Sequence, residues 1–169
     1  MTRLVLVRHA KAEAPRFGLD DHDRALTLEG RSSSQALAAA LADAGVAISL
    51  ALVSSAVRTQ QTWKLMEPSF PTAVSATEPT LYETHVGGVV GILRGLEEAG
   101  TVAIVGHEPT ITATAAWLAG PGSDTKALQR IAQGLPTGTA ALVDFDGPLT
   151  ALTQHGAVLT AVCASHAHF

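Results

Sequence analysis

The sequence is poor in cysteine and has no excess of positive charge. Cys163 is the single cysteine among 169 residues, so no disulfide can form within the chain. Its apolar neighbours Leu159 and Val162 favour a buried thiol in a reducing compartment. The formal net charge of -4 at pH 7 provides no overall positive field for nucleic acid or an anionic membrane surface. Neither is therefore expected as a partner, and any anion would have to be recognised locally.

Long apolar runs are also missing. No stretch approaches the ~20 uninterrupted apolar residues of a membrane-spanning helix, and the apolar run that precedes Arg8 is too short for a secretory signal peptide. We therefore expect a cytoplasmic protein. A length of 169 residues is typical of one domain, so residues 1–169 are expected to form a single domain. Hydrophobic residues make up 47% of the chain, which favours an α/β fold whose sheet is buried on both faces.

Short apolar runs alternate with helical patterns along the chain. This alternation predicts a three-layer α/β/α arrangement with a mainly parallel central sheet and helices on both faces. The last two strands could form an antiparallel hairpin at a sheet edge. The predicted strands span residues 4–7, 50–53, 73–76, 101–105, 140–143 and 157–164. The predicted helices run from the capping Thr27 to Gly45, over 56–66, from Pro109 to about Leu118 and over 128–132, while glycines weaken the helical pattern of 83–98.

Two arginines and two histidines follow three of the predicted strands. Arg8 and His9 follow the first strand, Arg58 lies in the first turn of the helix after the second, and His107 follows the strand at 101–105. Ligands of such sheets bind beyond the carboxyl ends of the strands. The four side chains should therefore converge on one small volume. Two guanidinium groups and two imidazoles suit a tetrahedral dianion such as phosphate.

A phosphoryl-transfer site requires a nucleophile and positive groups around the transferred oxygens. His9 is the candidate nucleophile, because an imidazole with a pKa near 6.5 has an unprotonated nitrogen at neutral pH without a separate base. Arg8, Arg58 and His107 are the candidates for binding the oxygens. Neither a metal nor another cofactor is expected. The remaining histidines that were considered as ligands lack the spacing of a tetrahedral metal site: His85, His155, His166 and His168.

Four segments resemble the histidine phosphatase superfamily, also called phosphoglycerate-mutase-like. They are Val7–Ala12, Ser54–Thr62, Val105–Pro109 and Asp23–Gly30, and the last is similar to the SixA-type phosphohistidine phosphatase branch. The resemblance implies a phosphoglycerate-mutase-like fold and phosphorylation of His9, followed by hydrolysis of the phosphohistidine by water. It also implies which side chains bind the phosphoryl group: Arg8, Arg58 and His107, assisted by Arg24. Many members have glycine where this chain has Ala10, and the SixA-like branch tolerates alanine there.

Glu83 is the candidate catalytic proton donor, because larger relatives place an acidic residue near this position. It could equally be a solvated residue at a helix start. An alkoxide leaving group requires an acid, whereas the imidazole of a phosphohistidine can leave already protonated. The weak signal for an acid therefore favours a substrate with an N–P bond. The segment between Met66 and Glu83 is short where relatives that act on small metabolites have an insertion, so an open site could admit a protein side chain. Protein phosphohistidine is the favoured substrate.

Two other functions stay open at this point. A phosphatase of small phosphate esters, such as sugar or nucleotide phosphates, or less favourably a mutase, would use the same His9 chemistry on a small phosphorylated metabolite. The other is a catalytically inactive module that binds phosphate in the same pocket but does not hydrolyse its ligand. Lys11 could add positive potential near the phosphate or be solvated, and the sequence does not separate these two roles. His22 could flank the pocket, but an exposed position is favoured for it.

Overall fold

The computed structural model describes residues 1–97 and 100–165 and the backbone of residues 167–168. Its helices and strands alternate along the first two thirds of the chain. In the described chain no helix is long and apolar enough to cross a membrane. The strands are β1 (Thr2–Arg8), β2 (Leu50–Val53), β3 (Val74–Thr77), β4 (Thr101–Gly106), β5 (Thr139–Phe145), β6 (Val158–Ala164) and β7 (Ala167–His168). The α-helices are α1 (Leu28–Asp43), α2 (Val57–Met66), α3 (Val86–Arg94), α4 (Thr110–Leu118) and α5 (Thr125–Ala132).

The strand β1 lies at the centre of one mixed sheet because its side chains are apolar on both faces. Leu4 and Leu6 are buried in one hydrophobic cluster, while Val5 and Val7 are buried in the other, as the alternation of a strand requires. The second cluster is completed by α1 and α2, and the first by α3, α4 and α5. The predicted three-layer α/β/α fold is therefore confirmed.

The sheet has the strand order β3-β2-β4-β1-β5-β6-β7. Strands β3, β2, β4 and β1 are parallel, and β5 pairs with β1 in the antiparallel direction. Strands β5 and β6 form the expected antiparallel hairpin, which β7 extends. Because Arg8 pairs with both Gly106 and Thr139, the carboxyl ends of β1, β2 and β4 and the beginning of β5 meet at one border of the sheet. We call this border the carboxyl edge.

Helix boundaries follow the capping side chains. Thr27 Oγ1 accepts a hydrogen bond from Gly30 N at 3.0 Å, and Gly45, with a φ of 77°, follows the end of α1. Helix α5 begins at Thr125, three residues before the predicted start, because Asp124 caps it. The glycine-rich segment forms α3 over nine residues, since its apolar face is buried against the sheet. Glu98, the last residue of that predicted segment, lies outside the described residues.

Candidate active site

Arg8 and His9 end the central strand at the carboxyl edge. His9 is buried, and its backbone N–H donates to the Gly106 carbonyl at 3.1 Å while its own carbonyl accepts from Gly138 N at 2.9 Å. The guanidinium of Arg8 donates through Nη1 to the Leu135 carbonyl at 2.7 Å. The backbone that carries these two side chains is thus fixed by β4 on one side and by the segment leading into β5 on the other.

The imidazole of His9 has one nitrogen committed to the backbone. Nδ1 lies 2.7 Å from the carbonyl oxygen of Ala10, and since a carbonyl can only accept, Nδ1 carries the hydrogen and Nε2 has the lone pair. Burial lowers the pKa of His9 to about 4, the bond to Ala10 acts in the opposite direction, and the charges of Arg58, Arg8 and Arg24 lower it further. The ring is therefore neutral near pH 7.

His107 follows β4 and faces His9 across the edge. The centroids of the two rings are 5.4 Å apart. Nε2 of His107 lies 2.7 Å from the hydroxyl oxygen of Ser54, a fully buried residue at the end of β2. Burial, together with the positive charge of Arg58, lowers the pKa of His107 to about 3. Both imidazoles of the pair are therefore neutral at physiological pH.

Arg58 and Arg24 meet at Asp21. Arg58 is buried in the first turn of α2 and donates to the backbone carbonyl of Asp21 at 2.7 Å and to its Oδ2 at 3.0 Å. Arg24 donates through Nε to Oδ1 of Asp21 at 3.0 Å and through Nη1 to the Glu13 carbonyl at 2.7 Å. The hydrogen bond from the Tyr82 hydroxyl, at 2.8 Å, and the two guanidinium groups hold the pKa of the Asp21 carboxyl well below its usual range.

The ring of Tyr82 forms an aromatic wall beside the two histidines. It packs edge-on against His107, with centroids 5.6 Å apart, and against His22 at 4.8 Å. His22 is half-buried, and its Nε2 lies 2.9 Å from the hydroxyl oxygen of Ser55. His22 therefore flanks the site rather than standing away from it.

Glu83 and Lys11 occupy more exposed positions than the histidines and arginines. Glu83 is exposed, and in the described part of the chain its carboxylate makes no hydrogen bond and no ion pair, although its neighbour Tyr82 contacts His107. Lys11 forms an exposed ion pair with Glu29, with Nζ and Oε2 2.7 Å apart. The structure thus brings Arg8, His9, Arg24, Arg58 and His107 to one edge and leaves these two residues at the surface.

Histidines elsewhere serve structural contacts. His85 caps α3 by accepting from Gly88 N, and Nδ1 of His155 donates to the Ala119 carbonyl at 2.8 Å. Within the described residues, no group of three or more histidine, cysteine, aspartate or glutamate side chains is arranged to hold a metal ion. His166 and the side chain of His168 lie outside that part of the chain.

Several buried nitrogens of the site have no hydrogen-bond partner among the described residues. They are Nε of Arg8, Nε of Arg58 and Nδ1 of His107, and the only comparable atoms found elsewhere in the described chain belong to Trp63 and Thr114. A buried donor without a partner costs about 1–3 kcal/mol. An oxyanion bound among these side chains would supply acceptors, so the arrangement is chemically suited to a tetrahedral anion beside a neutral imidazole nucleophile.

Asp21, Ser54 and Tyr82 belong to the site and were not predicted from the sequence. The spacing of Asp21 and Arg24, three residues apart in a short turn, could have suggested their ion pair. Ser54 lies in the segment Ser54–Thr62 that was already singled out, next to the end of a strand. Tyr82 carries no comparable signal, because its contacts to Asp21 and His107 join distant parts of the chain.

Comparisons with known proteins agree with one family. The sequence model of the histidine phosphatase superfamily (branch 1) matches residues 4–165. The uncharacterized protein ML1117 of Mycobacterium leprae (strain TN) is 34% identical over 159 residues, which cover 92% of this chain and 97% of that protein. A provisionally named phosphohistidine phosphatase SixA from Nakamurella multipartitia has a TM-score of 0.82 at 31% identity, over 95% of this chain and 94% of that one.

A second solved structure extends the likeness of the fold. The protein histidine phosphatase SixA complexed with tungstate has a TM-score of 0.78 at 22% identity, and the superposition covers 97% of each chain. At this identity the likeness concerns the fold alone. It indicates that the two chains share an overall fold.

Proposed function

The chain belongs to the histidine phosphatase superfamily (branch 1), and on that premise we propose that it is a phosphatase that transfers a phosphoryl group first to His9 and then to water. One observation carries the proposal. The buried ring of His9 has its Nδ1 hydrogen bonded to the Ala10 carbonyl, which leaves the lone pair on Nε2. The charges of Arg58 and Arg8 act on this ring, and the ring of His107 lies 5.4 Å away.

In the first step, Nε2 of His9 attacks the phosphorus atom in line with the leaving group. A P–N bond forms, the bond between phosphorus and the leaving group breaks, and the leaving group departs with the bonding electron pair. Nδ1 keeps its hydrogen on the Ala10 carbonyl, which stabilises the positive charge that develops on the ring. Arg8, Arg58 and His107 bind the non-bridging oxygens, and Arg24 assists them.

In the second step, water attacks the phosphorus of the phosphohistidine. The P–N bond breaks, its electron pair returns to Nε2, and the protons of the water leave with the inorganic phosphate. Burial and the neighbouring arginines favour the neutral ring that results, because both lower the pKa of His9. The enzyme returns to its starting state, and only side chains of this chain are used.

The favoured substrate is a protein phosphohistidine. Glu83, the candidate acid, is exposed and unpaired in the described chain, and a phosphohistidine imidazole can leave without a proton from the enzyme. The 31% identity to a protein named as a phosphohistidine phosphatase supports the same substrate. In this proposal residues 1–169 act as one histidine phosphatase domain on a cytoplasmic phosphoprotein.

The covalent intermediate provides the first test. The protein is mixed with phosphohistidine protein labelled on the phosphoryl group, quenched in alkali and separated from the substrate. We expect an alkali-stable, acid-labile label that His9→Ala abolishes and that His85→Asn, a change at an exposed capping histidine, retains. A label on serine or aspartate, or one that survives His9→Ala, would overturn the proposal.

A substrate panel tests the choice of leaving group. We expect a larger kcat/KM for the phosphohistidine protein than for sugar and nucleotide phosphates, with Glu83→Gln changing the first value by less than about twofold. Faster hydrolysis of an ester that collapses in Glu83→Gln would instead identify a phosphatase of small phosphate esters. A chain that binds phosphate but hydrolyses none of these substrates would be the inactive binding module.

A further inference from the structure

Asp21 binds two arginines of the site, Arg58 in α2 and Arg24 in the loop before α1. Its carboxylate receives Nε of Arg24 on one oxygen and Nη2 of Arg58 on the other, and its backbone carbonyl receives Nη1 of Arg58. Three donors of two guanidinium groups therefore end on one residue. Asp21 itself belongs to a short turn, Asp21–Asp23, and half of its side chain remains accessible to solvent.

We propose that Asp21 is a positioning residue that fixes the guanidinium groups of Arg24 and Arg58 before a phosphoryl group binds. The inference rests on the proposed function, because it concerns the same site. A long arginine side chain loses rotamer entropy when it is immobilised. If the Asp21 carboxylate has already immobilised Arg24 and Arg58, binding of the anion does not have to reduce the rotamer entropy of these two side chains.

Electrostatics alone predicts the opposite change in anion affinity when the Asp21 carboxylate is removed. A carboxylate close to the binding site repels a phosphoryl dianion, so its removal should strengthen anion binding if charge were the only effect. If Asp21 acts by positioning, its removal weakens binding although the local charge becomes more positive. The sign of the change in affinity therefore separates the two roles.

Tyr82 contributes to the same arrangement through Asp21. Its hydroxyl donates to Oδ2 at 2.8 Å, the oxygen that also receives Arg58. Its ring lies against His107, and the Arg58 guanidinium carbon is 6.0 Å from the ring centroid. Removal of the hydroxyl alone leaves the ring contacts in place and frees one acceptor position on Asp21.

The test uses Asp21→Asn and the matched control Asp23→Asn. Asp23 lies in the same turn and is exposed, and its carboxylate contacts only His22 among the described residues. Binding of tungstate, a tetrahedral oxyanion, is measured by calorimetry, and kcat and KM are measured on the labelled phosphohistidine protein. We expect Asp21→Asn to weaken tungstate binding about tenfold and to raise KM more than it lowers kcat. Asp23→Asn is expected to change both by less than about twofold.

A double-variant cycle tests the route through which Tyr82 acts. Tyr82→Phe should weaken tungstate binding by about threefold, and Asp21→Asn/Tyr82→Phe should bind no more weakly than Asp21→Asn alone, because both changes remove one interaction. Additive losses, unchanged binding in Asp21→Asn, or tighter binding would each refute the positioning role. Since tungstate binding is read without turnover, a wild-type protein that binds tungstate but forms no phosphohistidine would refute the proposed function and not this inference.

Discussion

The chemistry of His9 is decided by the balance between its burial and its single hydrogen bond. The bond to the Ala10 carbonyl favours a protonated ring, while burial and the nearby arginines disfavour it, and the net pKa is about 4. A histidine in water is half protonated near pH 6.5. The site therefore keeps Nε2 available over a wider range of pH than a free imidazole would.

This balance predicts the titration of the ring. In a ¹⁵N NMR titration, the His9 ring should remain neutral, with the hydrogen on Nδ1, from pH 8 down to about pH 5, because its pKa lies near 4. The His9→Gln spectrum identifies the signal. Protonation of His9 with a midpoint at or above pH 6.5 would contradict the described environment.

Ser54 provides a second prediction at the scale of single residues. Ser54→Ala removes the hydroxyl that contacts Nε2 of His107, so the ring loses the partner that fixes its orientation. We expect kcat/KM to fall by about tenfold while the secondary structure, followed by circular dichroism, is unchanged. The matched change Ser55→Ala affects the neighbouring hydroxyl, which contacts His22, and should cost less than about threefold. Equal decreases of kcat/KM in the two variants would contradict a role of Ser54 in orienting the His107 ring.

At the scale of elements, the beginning of α1 supports the segment that follows His9. The backbone N–H of Thr27 donates to the Lys11 carbonyl at 3.0 Å, and Gly30 packs so closely on that carbonyl that any Cβ at position 30 would overlap its oxygen. Lys11 is only two residues after His9. The close approach of the helix to this loop therefore depends on the absence of a side chain at Gly30.

Gly30→Ala should consequently destabilise the protein and disturb the site together. We expect the free energy of unfolding to fall by about 1–3 kcal/mol, and kcat/KM to fall with it, because the Lys11 backbone must move. Gly91→Ala in α3 is the control, since a Cβ there meets nothing within 4 Å. It should raise the free energy of unfolding by about 0.5–1 kcal/mol in urea denaturation. A neutral Gly30→Ala would contradict the close contact.

Sequence patterns predicted the elements whose signal is local. The apolar runs at β1, β2 and β4 and the cap at Thr27 are written in consecutive residues, so their positions were found within one or two residues. The segment of α3 gave a weaker signal, because glycine has low helix propensity and the burial of Val89 and Leu93 that stabilises this helix is a tertiary effect. The apolar pattern predicts that α5 starts at residue 128, whereas the cap at Asp124 starts the helix at Thr125.

The residues of the candidate site also fall into those that local sequence patterns predict and those that only the fold brings together. Arg8, His9, Arg58 and His107 could be grouped because each follows a strand and parallel strands end at one edge. Asp21 and Tyr82 are 61 residues apart and meet only through the fold. Glu83 is a candidate only because larger relatives have an acidic residue near this position, and in the structure it is exposed beside Tyr82. Its role stays a prediction.

At the scale of the whole molecule, two buried neutral histidines connect stability to pH. His9 and His107 have native pKa values of about 4 and about 3, whereas in the unfolded chain both would titrate near 6.5. Below pH 6.5 the unfolded state therefore takes up more protons than the native state. Each group makes unfolding easier as the pH falls toward its native pKa, and this contribution is fully restored above pH 6.5.

The free energy of unfolding should accordingly decrease between pH 6.5 and pH 4, by up to about 1.4 kcal/mol per pH unit for each histidine. In urea denaturation at several pH values, His9→Gln should show a shallower decrease over this interval, because one titrating group is absent. Asp21 contributes little here, because an aspartate of the unfolded chain titrates at about pH 3.9 and the native pKa of Asp21 lies lower still, so that its effect falls below about pH 4. A wild-type curve that is flat from pH 6.5 to pH 4 would refute this coupling.

The position of β1 between β4 and β5 has a consequence for synthesis on the ribosome. β1 precedes both of its neighbours in the chain, β4 at residues 101–106 and β5 at residues 139–145. The backbone of His9 is held by Gly106 from one of these and by Gly138, just before the other. During translation β1 therefore stays apolar and without both of its partners until residues 101–145 have emerged. The backbone of His9 is consequently fixed only after Gly138 has been made, and until then the apolar β1 is a segment that a chaperone could shield.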